Sequence, residues 1–96
     1  MYEEFIGKKV LVRSYDAGVY YGELVAVNGD QVKVKNVRNI WSWEGATCLS
    51  QIAVEGIKGG KVSQVVSSMI LMRVCQIFPL TEHAEQTLNN IEAWKV

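Results

Sequence analysis

Arg13, Arg38 and Arg73 carry planar guanidinium forks that match the oxygens of a phosphate. Tyr15, Tyr20, Tyr21, Trp41 and Trp43 offer flat faces for a base, and Asn89 and Asn90 add amides. This is a set of groups that could hold a nucleotide without changing it. Arg13 is the most informative of them, because an arginine between Val12 and Ser14 on an otherwise apolar strand needs a partner. Arg73, in an apolar run, poses the same question.

Catalytic chemistry is poorly supplied. His83 is the single histidine, and a metal site needs three or four converging ligands. No second imidazole and no strained elbow surrounds a Ser or Cys nucleophile. Glu82 and Glu85 share a helix face, but negative charge at a helix N-terminus explains both without acid–base work. Gly56, Gly59 and Gly60 lack the strand-to-helix setting and the Lys-Ser/Thr ending of a phosphate loop. The sequence therefore predicts no enzyme, no metal and no cofactor.

Composition sets the frame for these groups. Ninety-six residues are enough for one core, so residues 1–96 are expected to form a single domain. With 49% hydrophobic and 21% charged residues and one proline, the chain has enough apolar surface to fold. Lys and Arg balance Asp and Glu at net charge zero, which argues against general DNA coating. Met1-Tyr2-Glu3-Glu4-Phe5 lacks the basic and apolar regions of a secretory leader, and the longest uncharged run, Val62–Met72, is broken by polar residues. A cytoplasmic protein without a membrane span is expected, with Cys48 and Cys75 as reduced, buried fillers.

Periodicity predicts the elements that position the candidate residues. Lys8–Tyr15 alternates as a strand, with Val10 and Val12 on one face and Leu11, Arg13 and Tyr15 on the other. Val19–Val27 is a second strand, with Val19, Tyr21, Val25 and Val27 opposite Tyr20, Leu24 and Ala26. Asn28-Gly29 predicts a type I′ turn into a third strand, Asp30–Val37, with Val32, Val34 and Asn36 on one face and Lys33 and Lys35 solvated. Trp41 and Trp43, at i,i+2 spacing in a β-prone segment, are expected on one face. A helix over Leu49, Ile52 and Ala53 should start at a Thr47 cap and end at a left-handed Gly56.

Lys58-Gly59-Gly60-Lys61 is expected to be a flexible loop and Val62–Val66 a short strand. Met69–Phe78, apolar except for Arg73 and Gln76, is expected to be one long central strand. After Pro79, Thr81 should cap a helix from Glu82 to Asn90, with Ala84, Leu88 and Ile91 as its apolar stripe. The sum is an α+β fold: an antiparallel β-sheet or small barrel-like core of about five to six strands with two short helices.

Two resemblances bear on function. The strand Gly7-Lys8-Lys9-Val10-Leu11-Val12 followed by Tyr21-Gly22-Glu23-Leu24-Val25-Ala26-Val27 and a tight turn resembles an Sm or SH3-like small barrel, which implies RNA binding. The turn Asn28-Gly29-Asp30-Gln31 and the second half of the chain do not fit the Sm pattern.

A second resemblance spans nearly the whole chain. Val12-Arg13-Ser14-Tyr15-Asp16-Ala17-Gly18-Val19-Tyr20-Tyr21-Gly22, Ile40-Trp41-Ser42-Trp43-Glu44-Gly45-Ala46 leading into Leu49-Ser50-Gln51-Ile52-Ala53, and Pro79-Leu80-Thr81-Glu82-His83-Ala84 resemble a family of small phage proteins. Within it, the chain resembles the first class of Thoeris anti-defence proteins, sponges that sequester immune nucleotide signals. The chain departs from the family pattern in a shorter Ile57–Ser68 loop and in Ser42, where an aromatic is usual between the tryptophans.

That resemblance implies a dimer or hexamer in the host cytoplasm that binds a cyclic ADP-ribose isomer, and in some members cyclic trinucleotides, without cleaving it. It implies that Arg13, Trp41, Trp43 and Thr81 frame the pockets. Tyr15, Arg38 and Asn90 complete the candidate ligand set from the residue chemistry above. A phage protein-interaction module anchored by Trp41 and Trp43 is the remaining alternative.

Overall fold

The computed structural model describes residues 3–95, so Met1 and Tyr2 of the opening segment lie outside the described residues. A 3₁₀ turn at Glu3–Phe5 leads into β1 (Lys9–Ser14), β2 (Gly18–Asn28) and β3 (Gln31–Glu44), which pair in antiparallel meander order. Helix α1 (Leu49–Glu55), β4 (Gly59–Val62), β5 (Val66–Leu71), β6 (Val74–Pro79) and α2 (Glu82–Asn89) follow. The strands form one antiparallel sheet in the order β4-β3-β2-β1-β6, with β5 also on β3. Strands β4 and β5 share one edge of β3: β5 takes Val32 to Val37 and β4 takes Ile40 to Glu44. The sheet is not closed into a barrel.

Val10, Leu11 and Val12 are all buried, so β1 is covered on both faces. Leu11 joins Tyr21, Ile40, Ile52, Val62 and Leu88 under the two helices. Val10 and Val12 join Leu24, Val32, Val34, Val37 and Leu71 on the opposite face. There the sheet covers itself, because β5 sits beside β3 while β6 returns to β1. Among the described residues no helix is long and apolar enough to cross a membrane.

Several expectations are corrected, and backbone irregularities account for most of them. Asn28 pairs with Gln31, so the hairpin loop is Gly29-Asp30 with only Gly29 at positive φ, +62°. A loop whose first central residue alone is left-handed follows the II′ pattern rather than I′. In β2 a register shift between Leu24 and Ala26 puts Val27 on the Leu24 side, against simple alternation. The third strand continues through Glu44, with a bulge at Asn36, whose φ is +53°. Asn36 is consequently exposed, and Val37 takes its place in the core.

A further register shift between Ile40 and Ser42 separates the two tryptophans. Trp43 packs against the core under the helices, whereas Trp41 is 46% exposed. The glycine segment is strand β4 and not a loop. A side chain at Gly60 would collide with the Ser42 carbonyl, which explains the residue type on a closely paired edge.

The long apolar run breaks at Met72-Arg73, where Arg73 takes φ +53°, and it yields two outer strands instead of one central strand. Ile70 and Met72 are exposed as a result. Cys48 and Cys75, expected to be buried, are both exposed.

The helices follow local chemistry more closely. Thr81 accepts a hydrogen bond from the Ala84 N–H at 3.0 Å and caps α2, whose Ala84 and Leu88 are buried and whose following Ile91 packs on the same core. Helix α1 is capped by Cys48 without a side-chain bond. Thr47 lies one residue earlier and donates its N–H to Gln51 Oε1 at 2.9 Å. Gly56 has φ +80° but not the left-handed ψ, and a side chain there would strike Thr87. It is a contact glycine at the meeting of α1 and α2.

Candidate functional site: an open arginine–tryptophan cleft

The site begins with the parity of β1. Arg13 shares the face of Leu11, and its cross-strand partners are Val19 on β2 and Gln76 on β6. Gln76, Arg13 and Val19 therefore make a row across three strands on the helix-bearing face. The helices cover Leu11 but leave Arg13 exposed.

Beside this row lies an open cleft of about 440 Å³, walled by Trp43 and Phe78 and by the start of α1 at Cys48 and Leu49. Both aromatic rings pack against the core beneath the helices, so they are fixed walls. Among the described residues the Arg13 side chain has neither a carboxylate partner nor a hydrogen bond. A donor-only guanidinium without a partner among the described residues, in one cleft with two aromatic rings, suits an anion joined to a flat ring.

A smaller cavity of about 170 Å³ lies between the Gly29-Asp30 turn and β6, lined by Val32, Cys75, Ile77 and also by Gln76, which thus borders both spaces. It has no cation and no aromatic ring, and Asp30 gives it the wrong sign for a phosphate. Among the described residues no cluster of three or more His, Cys, Asp or Glu could hold a metal ion.

Arg38 has a different environment. Its Nε donates to the Ser63 carbonyl at 2.8 Å and its Nη2 to the Ile91 carbonyl at 2.8 Å. Its Nη1 donates to Tyr21 Oη and to the Leu88 carbonyl, both at 3.2 Å. The Tyr21 hydroxyl in turn donates to Asn89 Oδ1 at 2.8 Å. Burial pushes the Tyr21 phenol above its ordinary pKa, and the neighbouring Arg38 guanidinium pulls partly the other way. At 6% exposure, Arg38 fastens the end of α2 to the sheet and presents no face to the cleft.

The other candidates are scattered. Tyr15 is 71% exposed, with the Arg73 guanidinium 4.7 Å over its ring, and Arg73 also pairs with Asp16 at 3.1 Å. Thr81 is occupied as a cap and donates its hydroxyl to the Val54 carbonyl at 2.7 Å. Asn90 is the C-cap of α2, and Trp41 lies outside the cleft. The structure thus brings Arg13 and Trp43 together and leaves Tyr15, Arg38, Trp41, Thr81 and Asn90 elsewhere.

Sequence reasoning did not select Gln76, Phe78 or Cys48 for the site. The available signal was Gln76, one of two polar interruptions in an apolar run.

Fold and cleft together define a small antiparallel α+β domain with an open cationic and aromatic surface. Residues 7–88, from before β1 to the last turn of α2, match a family described as Domain of unknown function (DUF6948), and the chain belongs to that family. No curated protein matches the chain.

Proposed function

We propose that this protein is a non-catalytic binder that sequesters a cyclic nucleotide signal, a cyclic ADP-ribose isomer or a related cyclic nucleotide, in the Arg13 and Trp43 cleft. The observation that carries the reading is the Arg13 guanidinium, without a partner among the described residues, in one cleft with the fixed rings of Trp43 and Phe78. A phosphate would take the fork and a base would lie against a ring. No carboxylate or imidazole lines the cleft among the described residues, which favours holding the ligand over cleaving it. The phage-sponge resemblance supplies the cyclic class of ligand. It also supplies the dimers or hexamers in which a second copy would cover an open cleft.

The test is calorimetric titration with cyclic ADP-ribose isomers and cyclic di- and trinucleotides, followed by mass spectrometry of the ligand released on heating. Binding with the ligand recovered whole is expected. A cleaved product overturns sequestration, and silence across the panel overturns the nucleotide reading.

A second reading, a partner-protein module, is favoured by a different surface. Trp41 and Trp94 are about half exposed, and Lys61 sits 4.7 Å over the Trp94 ring. Loss of a protein partner in Trp41→Ala, with nucleotide binding absent in the parent chain, would establish that reading instead.

A further inference from the structure

We infer that Gln76 is the specificity-determining residue of the cleft, selecting an adenine ring over a guanine ring. The inference rests on the nucleotide reading above and adds to it which base is accepted.

Gln76 lies directly across from Arg13 in the β1–β6 pair. Its neighbour Ile77 and the Ile77 partner Val12 both face the opposite core, so Gln76 and Arg13 share the cleft face. Side chains at such opposed positions start about 4.5 to 5.5 Å apart at Cβ. A phosphate on Arg13 therefore leaves the attached base within reach of the Gln76 amide.

Arg13 can only donate, and the remaining polar side-chain groups of the cleft, the Trp43 indole N–H, the Cys48 thiol and the Ser50 hydroxyl, each present a single atom. Gln76 alone has a planar acceptor and donor side by side. That pattern complements the N7 acceptor and N6 donor on the Hoogsteen edge of adenine, whereas the Hoogsteen edge of guanine shows two acceptors, so the selection operates on a base that turns this edge to Gln76. Among the described residues the Gln76 side chain makes no hydrogen bond, so its amide is free for a ligand. It is also exposed, so the amide is not needed to satisfy the core.

The experiment titrates the intact chain, Gln76→Leu, Gln76→Thr and Arg13→Ala with matched pairs: cyclic AMP against cyclic GMP, and cyclic di-AMP against cyclic di-GMP. Thermal melts run in parallel, and Gln76→Thr is a β-compatible second variant in case leucine disturbs the strand. The parent should prefer the adenine member by roughly 5- to 150-fold, the worth of one good bidentate contact. Both Gln76 variants should bring that ratio close to one. Arg13→Ala should weaken both members of each pair while preserving the ratio.

Binding with a ratio that Gln76 variants leave unchanged overturns this inference and leaves the nucleotide reading standing. Binding of neither member of either pair overturns this inference, and silence from cyclic ADP-ribose isomers as well overturns both.

Discussion

Arg38 and Arg13 look alike in the sequence, each an arginine in a β-rich run, yet they occupy opposite situations on one face of one sheet. Arg38 is buried and every arm of its fork donates to a fixed acceptor from Tyr21, Ser63, Leu88 or Ile91. Arg13 is exposed, with aromatic walls beside it and no partner among the described residues. The contrast teaches that a guanidinium becomes scaffold when helix-end carbonyls reach it, and stays available when the helices stop short. It also separates two consequences of mutation that sequence alone would merge.

The largest expected effect tests the scaffold half of the comparison. Arg38→Met should destabilise the fold by about 3 to 5 kcal/mol, since several buried acceptors lose their donor at about 1 to 3 kcal/mol each. Urea denaturation reads it directly, and an unchanged midpoint would break the comparison. Arg38→Lys should recover only part, because an ammonium cannot reach all of these acceptors.

Arg13→Ala should do the reverse. Nucleotide binding should weaken by about 1.5 to 3 kcal/mol, with a stability change within about 0.5 kcal/mol. Calorimetric titration beside a thermal melt separates the two effects.

Next in size is Tyr21→Phe, which removes the hydroxyl between Arg38 and Asn89 and should cost about 1 to 2 kcal/mol. The same group gives a pH signature. Because the folded Tyr21 pKa is raised, the unfolded chain loses its phenolic proton first, at about pH 10. The stability contributed by Tyr21 is complete below that pH and declines as pH rises through the folded value. Tyr21→Phe should flatten the alkaline limb of a stability profile recorded from pH 8 to 11.

Trp41→Ala should have the smallest effect, about 0.5 kcal/mol or less on stability and none on cleft binding. A loss of nucleotide affinity there would show that the cleft extends further along β3 than its lining residues indicate.

The parts that were legible in the sequence rest on local chemistry. The alternation of β1 placed Arg13 and Leu11 on one face, and the cap and stripe of α2 were readable from Thr81, Ala84 and Leu88. What escaped was every change of parity. The bulge at Asn36, the register shift at Trp41 and the break at Arg73 are set by pairing with β2, β4 and the two outer strands. A period-two pattern cannot register an inserted residue, so Val37, Trp41 and the exposure of Ile70 were misplaced together.

The roles of the arginines were hidden for a related reason. The carbonyls of Leu88 and Ile91 that engage Arg38 come from the far end of the chain, and no spacing rule connects them. Trp43 could be chosen as an aromatic wall from its type. Gln76 could not be paired with Arg13 until the β1–β6 register was known.

That same β1–β6 register has a consequence for how the protein is made. Val10 pairs with Pro79 and Arg13 with Gln76, so one wall of the sheet joins the beginning of the chain to its last third. During synthesis the β1–β2–β3 meander can form as soon as it emerges, but the second edge of β1 stays open until β6 leaves the ribosome. The cleft, which needs Arg13 from β1 and Gln76 and Phe78 from β6, therefore assembles only after β6 has emerged. A nascent chain stalled before Val74 should present an apolar strand edge to chaperones, whereas one extended past Pro79 can close that edge through the non-local β1–β6 pairing.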